Sequence, residues 1–114
     1  MNNFPYIPKP EARVFYAEVI YERIEEHIES AQSKASTDQD VFVFAVLSDG
    51  SRIPVDELGF HNPGFIVIYN KDEEGNKSEV IISHTNVQII INTLNKSPQE
   101  PATQPRRIGF RGHV

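Results

Sequence analysis

The sequence predicts an α+β fold, with an N-terminal helix packed on a small, strongly curved antiparallel sheet of four to five strands. Three observations carry this. Apolar residues recur at helical spacing over residues 10–34. Four β-rich stretches crowd into residues 41–94: Val41–Leu47, Phe65–Tyr69, Glu79–Ile82 and Val87–Ile91. These stretches are apolar almost throughout, whereas a strand with one wet face alternates apolar and polar residues. Only one helix is long enough to cover a sheet, so the other sheet face must close on itself or bind another subunit.

Residues 1–9 read as an extended arm, because Pro5 and Pro8 disfavour helix. Pro10 suits the first position of a helix and Glu11 its positive end. Val14, Ala17, Tyr21, Ile24, Ile28 and Ala31 then form an amphipathic stripe through residue 34. The opposite face carries Glu18, Glu22, Glu25, Glu26 and Glu29, whose i,i+4 like-charge pairs oppose the helix weakly. Residues 35–40 are a polar linker. Val41–Ser48 is the first strand, and Asp49-Gly50 predicts a type I′ hairpin turn into a second strand, Ser51–Asp56. Pro54 places that strand at an edge or a bulge, since it donates no ladder hydrogen bond. Residues 57–64 read as a loop ending in Asn62-Pro63-Gly64. Phe65–Asn70 and Ser78–Ser83 are the third and fourth strands, joined by the charged loop 71–77. Val87–Asn92 reads as a fifth strand, because Val and Ile favour strand over helix; a helix capped at Thr85 is the alternative.

At 114 residues the chain is one domain, expected over residues 1–94, followed by a Pro-rich, basic, disordered tail over 95–114. Without cysteine it has neither disulfides nor thiolate zinc sites. Met1-Asn2-Asn3-Phe4 is not the start of a signal peptide, and no apolar run reaches the roughly 18 residues of a membrane span. A cytoplasmic protein is therefore expected. Residues 1–94 hold 15 acids against 7 bases, and residues 95–114 hold Lys96, Arg106, Arg107 and Arg111 against Glu100. An acidic body disfavours nucleic acid, whose phosphates require clustered Lys and Arg.

Residues able to carry chemistry are few. There is no phosphate-binding Gly-rich loop, nucleophile elbow or zincin pair, so no catalytic residue, metal ligand or cofactor is assigned. His27 lies on the Glu-rich helix and reads as a surface residue. Asp38 and Asp40 make no recognisable calcium loop. Phe60 and Phe65 flank the loop and read as plugs for the open end of a small sheet. His61 and Asn62 in the 57–64 loop, with His84 at the end of the fourth strand, form a possible loop site; with Asp56 they would supply a His–carboxylate set for a metal or for acid–base chemistry. The tail motif Arg106, Arg107, Ile108, Phe110 and Arg111 is a sticky, positively charged peptide. It is suited to bind an acidic partner, with Ile108 and Phe110 as anchors, or to add as a strand to its own sheet.

The order of one helix and then five strands, with Asp49-Gly50 between the first two, resembles the Sm-like fold and within it the bacterial RNA-chaperone family Hfq. Phe60-His61-Asn62 stands where that family has Phe-Asp-Asn, and Ser83-His84 where it has Lys-His. The resemblance covers about residues 41–92 and implies an RNA-binding ring. The departures fall on the RNA-contacting positions, where Ser83 replaces the lysine and His61 the aspartate, and the bent strand's glycine falls near Val55. A second resemblance rests on Leu58–Tyr69, Ser83-His84 and the tail Arg106–Phe110. It is to a family of small bacterial proteins with a His-Asn-Pro loop and an Arg-Arg-Ile-Gly-Phe motif near the C-terminus, and it implies no activity.

The functional expectation is a non-enzymatic protein-binding or adaptor domain that forms a homo-oligomer and contacts a protein partner through its basic tail. The alternatives are an Sm-like RNA-binding oligomer and a small metal-dependent enzyme using Asp56, His61 and His84. If the tail is separate from the core, deleting residues 95–114 leaves folding intact.

Overall fold

The computed structural model describes residues 16–97 and 107–114. Its elements are α1 (Tyr16–Lys34), β1 (Gln39–Val46), β2 (Arg52–Pro54), β3 (Glu57–His61), β4 (Phe65–Lys71), β5 (Lys77–Ser83), β6 (Gln88–Asn95) and β7 (Gly109–His113). The class is α+β with an N-terminal helix, as the patterns predict. The strands are more numerous than expected and divide between two sheets, ordered β2-β1-β6 and β5-β4-β3-β7. All pairings are antiparallel except β3 with β7, which is parallel.

The core lies where α1 meets both sheets. Ala17, Tyr21 and Ile28 of α1 are buried against Val41, Val43 and Ala45 of β1, Leu58 and Phe60 of β3, and Ile66 and Ile68 of β4. At the start of α1 the Ala17 amide donates to the Pro63 carbonyl at 3.0 Å, satisfying one of the helix's orphan donors. The Asn62–Pro63 peptide is cis.

Both tight hairpins use the same device. The Leu47 amide donates to the Ser51 carbonyl, and the Gly50 amide to the Leu47 carbonyl. Gly50 has φ +86°, whereas no described non-glycine residue has a positive φ, so the turn is not the expected type I′. It is a longer loop closed by one left-handed glycine, and Asp49 Oδ1 stabilises it by accepting the Ser51 amide at 2.9 Å. The β4–β5 loop repeats this with Gly75 at φ +88° and with Asp72 Oδ1 accepting the Glu74 and Asn76 amides.

Three expectations are corrected. Residues 57–61 are a strand and not a loop: Leu58 and Phe60 point into the core and alternate with Glu57 and His61, the period of a half-buried strand. Pro54 does end an edge strand, but that strand is only Arg52–Pro54, and Val55–Asp56 separates it from β3. Residues 107–114 are not a disordered tail. β7 completes the four-stranded sheet, because Ile108, only 5 % exposed, fills the core beside β3. Residues 95–97 also belong to the body, where Lys96 bonds the Asp38 and Thr37 carbonyls and pairs with Asp40. The predicted helical residues 10–15, and residues 98–106 with Arg106, lie outside the described residues. The strand expected over Val87–Asn92 is present as β6, which starts at Gln88 and pairs with β1 in unbroken register to Asn95.

Candidate functional site

The tail motif is absorbed by the fold. Ile108 is core, and Phe110 meets the Tyr21 ring edge-on at 6.3 Å. Arg111 grips Glu57 through Nε at 2.7 Å and a second nitrogen at 3.3 Å, with its guanidinium 4.0 Å from the Tyr69 ring centre. That guanidinium holds the Glu57 carboxyl below the usual carboxylate range, and the carboxylate raises Arg111 in turn. Both side chains are nearly half exposed, so solvent screens the pair. Of the expected partner-binding residues, Arg107 is the exposed cation among the described ones that takes no part in these contacts.

The loop-site residues are brought near the same end of the sheet, but each is engaged locally. His61 Nδ1 donates to the Val114 oxygen at 2.6 Å. The Asn62 amide donates to His113 Nε2 at 3.3 Å, which requires that nitrogen to be unprotonated. The two imidazoles lie 5.1 Å apart, and Phe60 meets His113 edge-on. His84 is bound to the Gly64 carbonyl through its amide at 2.8 Å and Nδ1 at 3.2 Å, while its ring stacks on Tyr16. Asp56 Oδ2 instead accepts the Lys71 amide at the other end of β3. Asp56 and His61 thus bracket the strand, about 16 Å apart along it at roughly 3.3 Å per residue. Among the described residues no three His, Asp or Glu side chains cluster as a metal site. This geometry anchors β7 and the Asn62-Pro63 turn, and does not assemble the expected Asp56–His61–His84 set.

The remaining candidates are apolar surfaces. On the three-stranded sheet Val41, Val43 and Ala45 face the core, so the intervening Phe42, Phe44 and Val46 face outward. Phe44 sits between Pro54 of β2 and Ile90 of β6, and Leu94 extends the face at 51 % exposure. On the outer face of the four-stranded sheet, Phe65, Val67, Ile81 and Val114 line a recess of about 450 Å³ with His61 and Glu79. The sequence signal for both was the lack of alternation in Val41–Leu47 and Glu79–Ile82; it showed that outer faces were apolar, but not which residues joined across strands.

No described helix is long and apolar enough to cross a membrane. Neither a family model, nor a curated protein, nor a solved structure matches this chain.

Proposed function

We propose that this chain is a non-enzymatic binding domain that self-associates by burying the outer face of its three-stranded sheet. One observation carries the reading. β1 is apolar on both faces, and Phe42, Phe44 and Val46 lie on the face opposite the core. Phe42, Phe44, Val46 and Ile90 are half-buried and Leu94 is exposed, an apolar sheet face of the kind that marks a protein–protein contact. A specific interface covers about 800 Å² per partner. The acidic balance, −5 over the chain, disfavours the RNA-binding alternative. Ile108, Phe110 and Arg111 serve the fold, which favours the sheet face over the tail motif as the partner surface.

Light scattering coupled to size exclusion tests this on the full chain. At tens of micromolar the expected mass is that of two or more copies. Phe44→Thr, which keeps β propensity and removes the central ring, is expected to weaken association about tenfold or more, as loss of a hot-spot side chain does. A monomeric wild-type protein would overturn the reading.

A further inference from the structure

We propose that the edge of β5 that no described strand pairs is a second self-association surface, on which β5 of another copy adds antiparallel across a twofold axis through Ile81. This rests on the self-association proposed above but uses different residues. β5 is an outer strand of its sheet. Its β4 register is unbroken, and at the two ends of the hairpin the Asp72 amide bonds the Asn76 carbonyl and the His84 amide bonds the Gly64 carbonyl. Antiparallel pairs alternate between bonded and non-bonded. Ser78, Val80 and Ile82 therefore exchange bonds with β4, and the backbone groups of Lys77, Glu79, Ile81 and Ser83 point to this edge.

Ile81 is also the most exposed large apolar residue described, at 61 %. It adjoins Phe65 and Val114 around the almost fully buried Val67. The edge opens on a cleft of about 350 Å³, lined by Val80–Ser83 and Asn86 and walled by the β1–β2 hairpin tip at Leu47, Ser48 and Asp49.

The occupant is a second copy because the strand is complementary to itself. With the axis at Ile81, this residue faces its own copy, Val80 faces Ile82 and Glu79 faces Ser83, while Lys77 falls beyond the end of the copy's strand at Ser83. Apolar meets apolar on both sheet faces and no like charges oppose, the arrangement that favours cross-strand pairs. Moving the axis to Glu79 sets two carboxylates against each other. β5 carries few of the devices that block edge pairing: it holds no proline, its register has no bulge, and its two charges, Lys77 and Glu79, sit toward one end.

The chain has no cysteine, which permits a specific test. A bonded antiparallel pair sets its Cα atoms about 5.5 Å apart, but its Cβ atoms lie toward the wide end of the roughly 4.5–5.5 Å of facing pairs, beyond the roughly 3.5–4.5 Å of a disulfide, so a short bis-maleimide that bridges two thiols is the suitable cross-linker. Full-length Ile81→Cys is expected to form covalent dimers with the short bis-maleimide, and Lys77→Cys is not, because its copy lies far along the strand. Cross-linking at position 81 alone supports the twofold pairing. Equal cross-linking at both positions, or at neither, overturns it. If neither cross-links but light scattering still finds an oligomer that Phe44→Thr weakens, the sheet-face reading stands and the β5 edge does not. A β5 edge paired instead with a different strand gives that same absence of cross-links.

Discussion

The Tyr21 hydroxyl accepts the Gly112 amide at 3.0 Å, joining the first described helix to the last strand. Tyr21 is 4 % exposed and packs on both Phe60 and Phe110. Burial pushes the pKa of its phenol above the ordinary value, and the Gly112 bond opposes that rise more weakly. Tyr21→Phe keeps the ring packing but leaves a part-buried amide without its acceptor. The expected loss is about 1–2 kcal/mol in a urea titration, with faster hydrogen exchange at Gly112. An unchanged midpoint would mean that water replaces the hydroxyl at no cost.

Ile108 gives a larger effect. It is 5 % exposed within the core cluster, although the sequence places it in a Pro-rich tail. Ile108→Ala is expected to destabilise by about 2–5 kcal/mol, the usual range for emptying a buried aliphatic site. For the same reason, deletion of residues 98–114 is expected to abolish cooperative unfolding or lower its midpoint sharply, contrary to the tail-independent folding that composition suggests. A truncated chain as stable as the full one would show that β7 adds nothing to the core.

These two residues also mark the limits of reading the sequence. The helix stripe at Tyr21 and Ile28, the strands at 65–71 and 77–83, and the edge position of Pro54 were legible because each follows from local periodicity or from a missing donor. β3 was hidden because its alternation, Leu58 and Phe60 against Glu57 and His61, is short and runs into Asn62-Pro63-Gly64. β7 was hidden because Ile108 and Phe110 bury against β3, a contact distant in sequence whose partner no local pattern names. The candidate site followed suit: continuous apolar runs indicated that both sheet faces are apolar, but the meeting of Phe65, Ile81 and Val114 depends on registers set by the hairpins.

Acid should loosen the hairpins and β7 together. Glu57 is lowered chiefly by its Arg111 hydrogen bond, Asp49 by its Ser51 hydroxyl and amide bonds, and Asp72 first by its Asn76 amide. A carboxyl whose folded-state pKa is depressed contributes stability that is complete above its unfolded value and fades as pH falls through the folded one. Stability is therefore expected to decline from about pH 4 downward, the ordinary carboxylate range. The Glu57→Gln variant should show a shallower decline over that window. Parallel acid profiles for the variant and the wild type would remove the ion pair from the account.

The acidic face of α1 carries the opposite sign. Burial raises the Glu25 carboxyl first, and Glu29, Glu22 and Glu26 raise it further. A carboxyl raised on folding opposes the folded state once it ionises, so its penalty is complete at neutral pH and relieved as pH falls through the raised value. Glu25→Gln removes the charge while keeping the side-chain length. At pH 7 it is expected to stabilise by a few tenths of a kcal/mol, the scale of like-charge i,i+4 pairs. Repulsion between these exposed charges is screened by salt, whereas the burial component is not. The gain in urea midpoint should therefore shrink but persist at 1 M salt. A gain that vanishes there would assign the whole effect to the neighbouring glutamates, and a loss of stability at pH 7 would show that Glu25 holds a favourable contact that outweighs both.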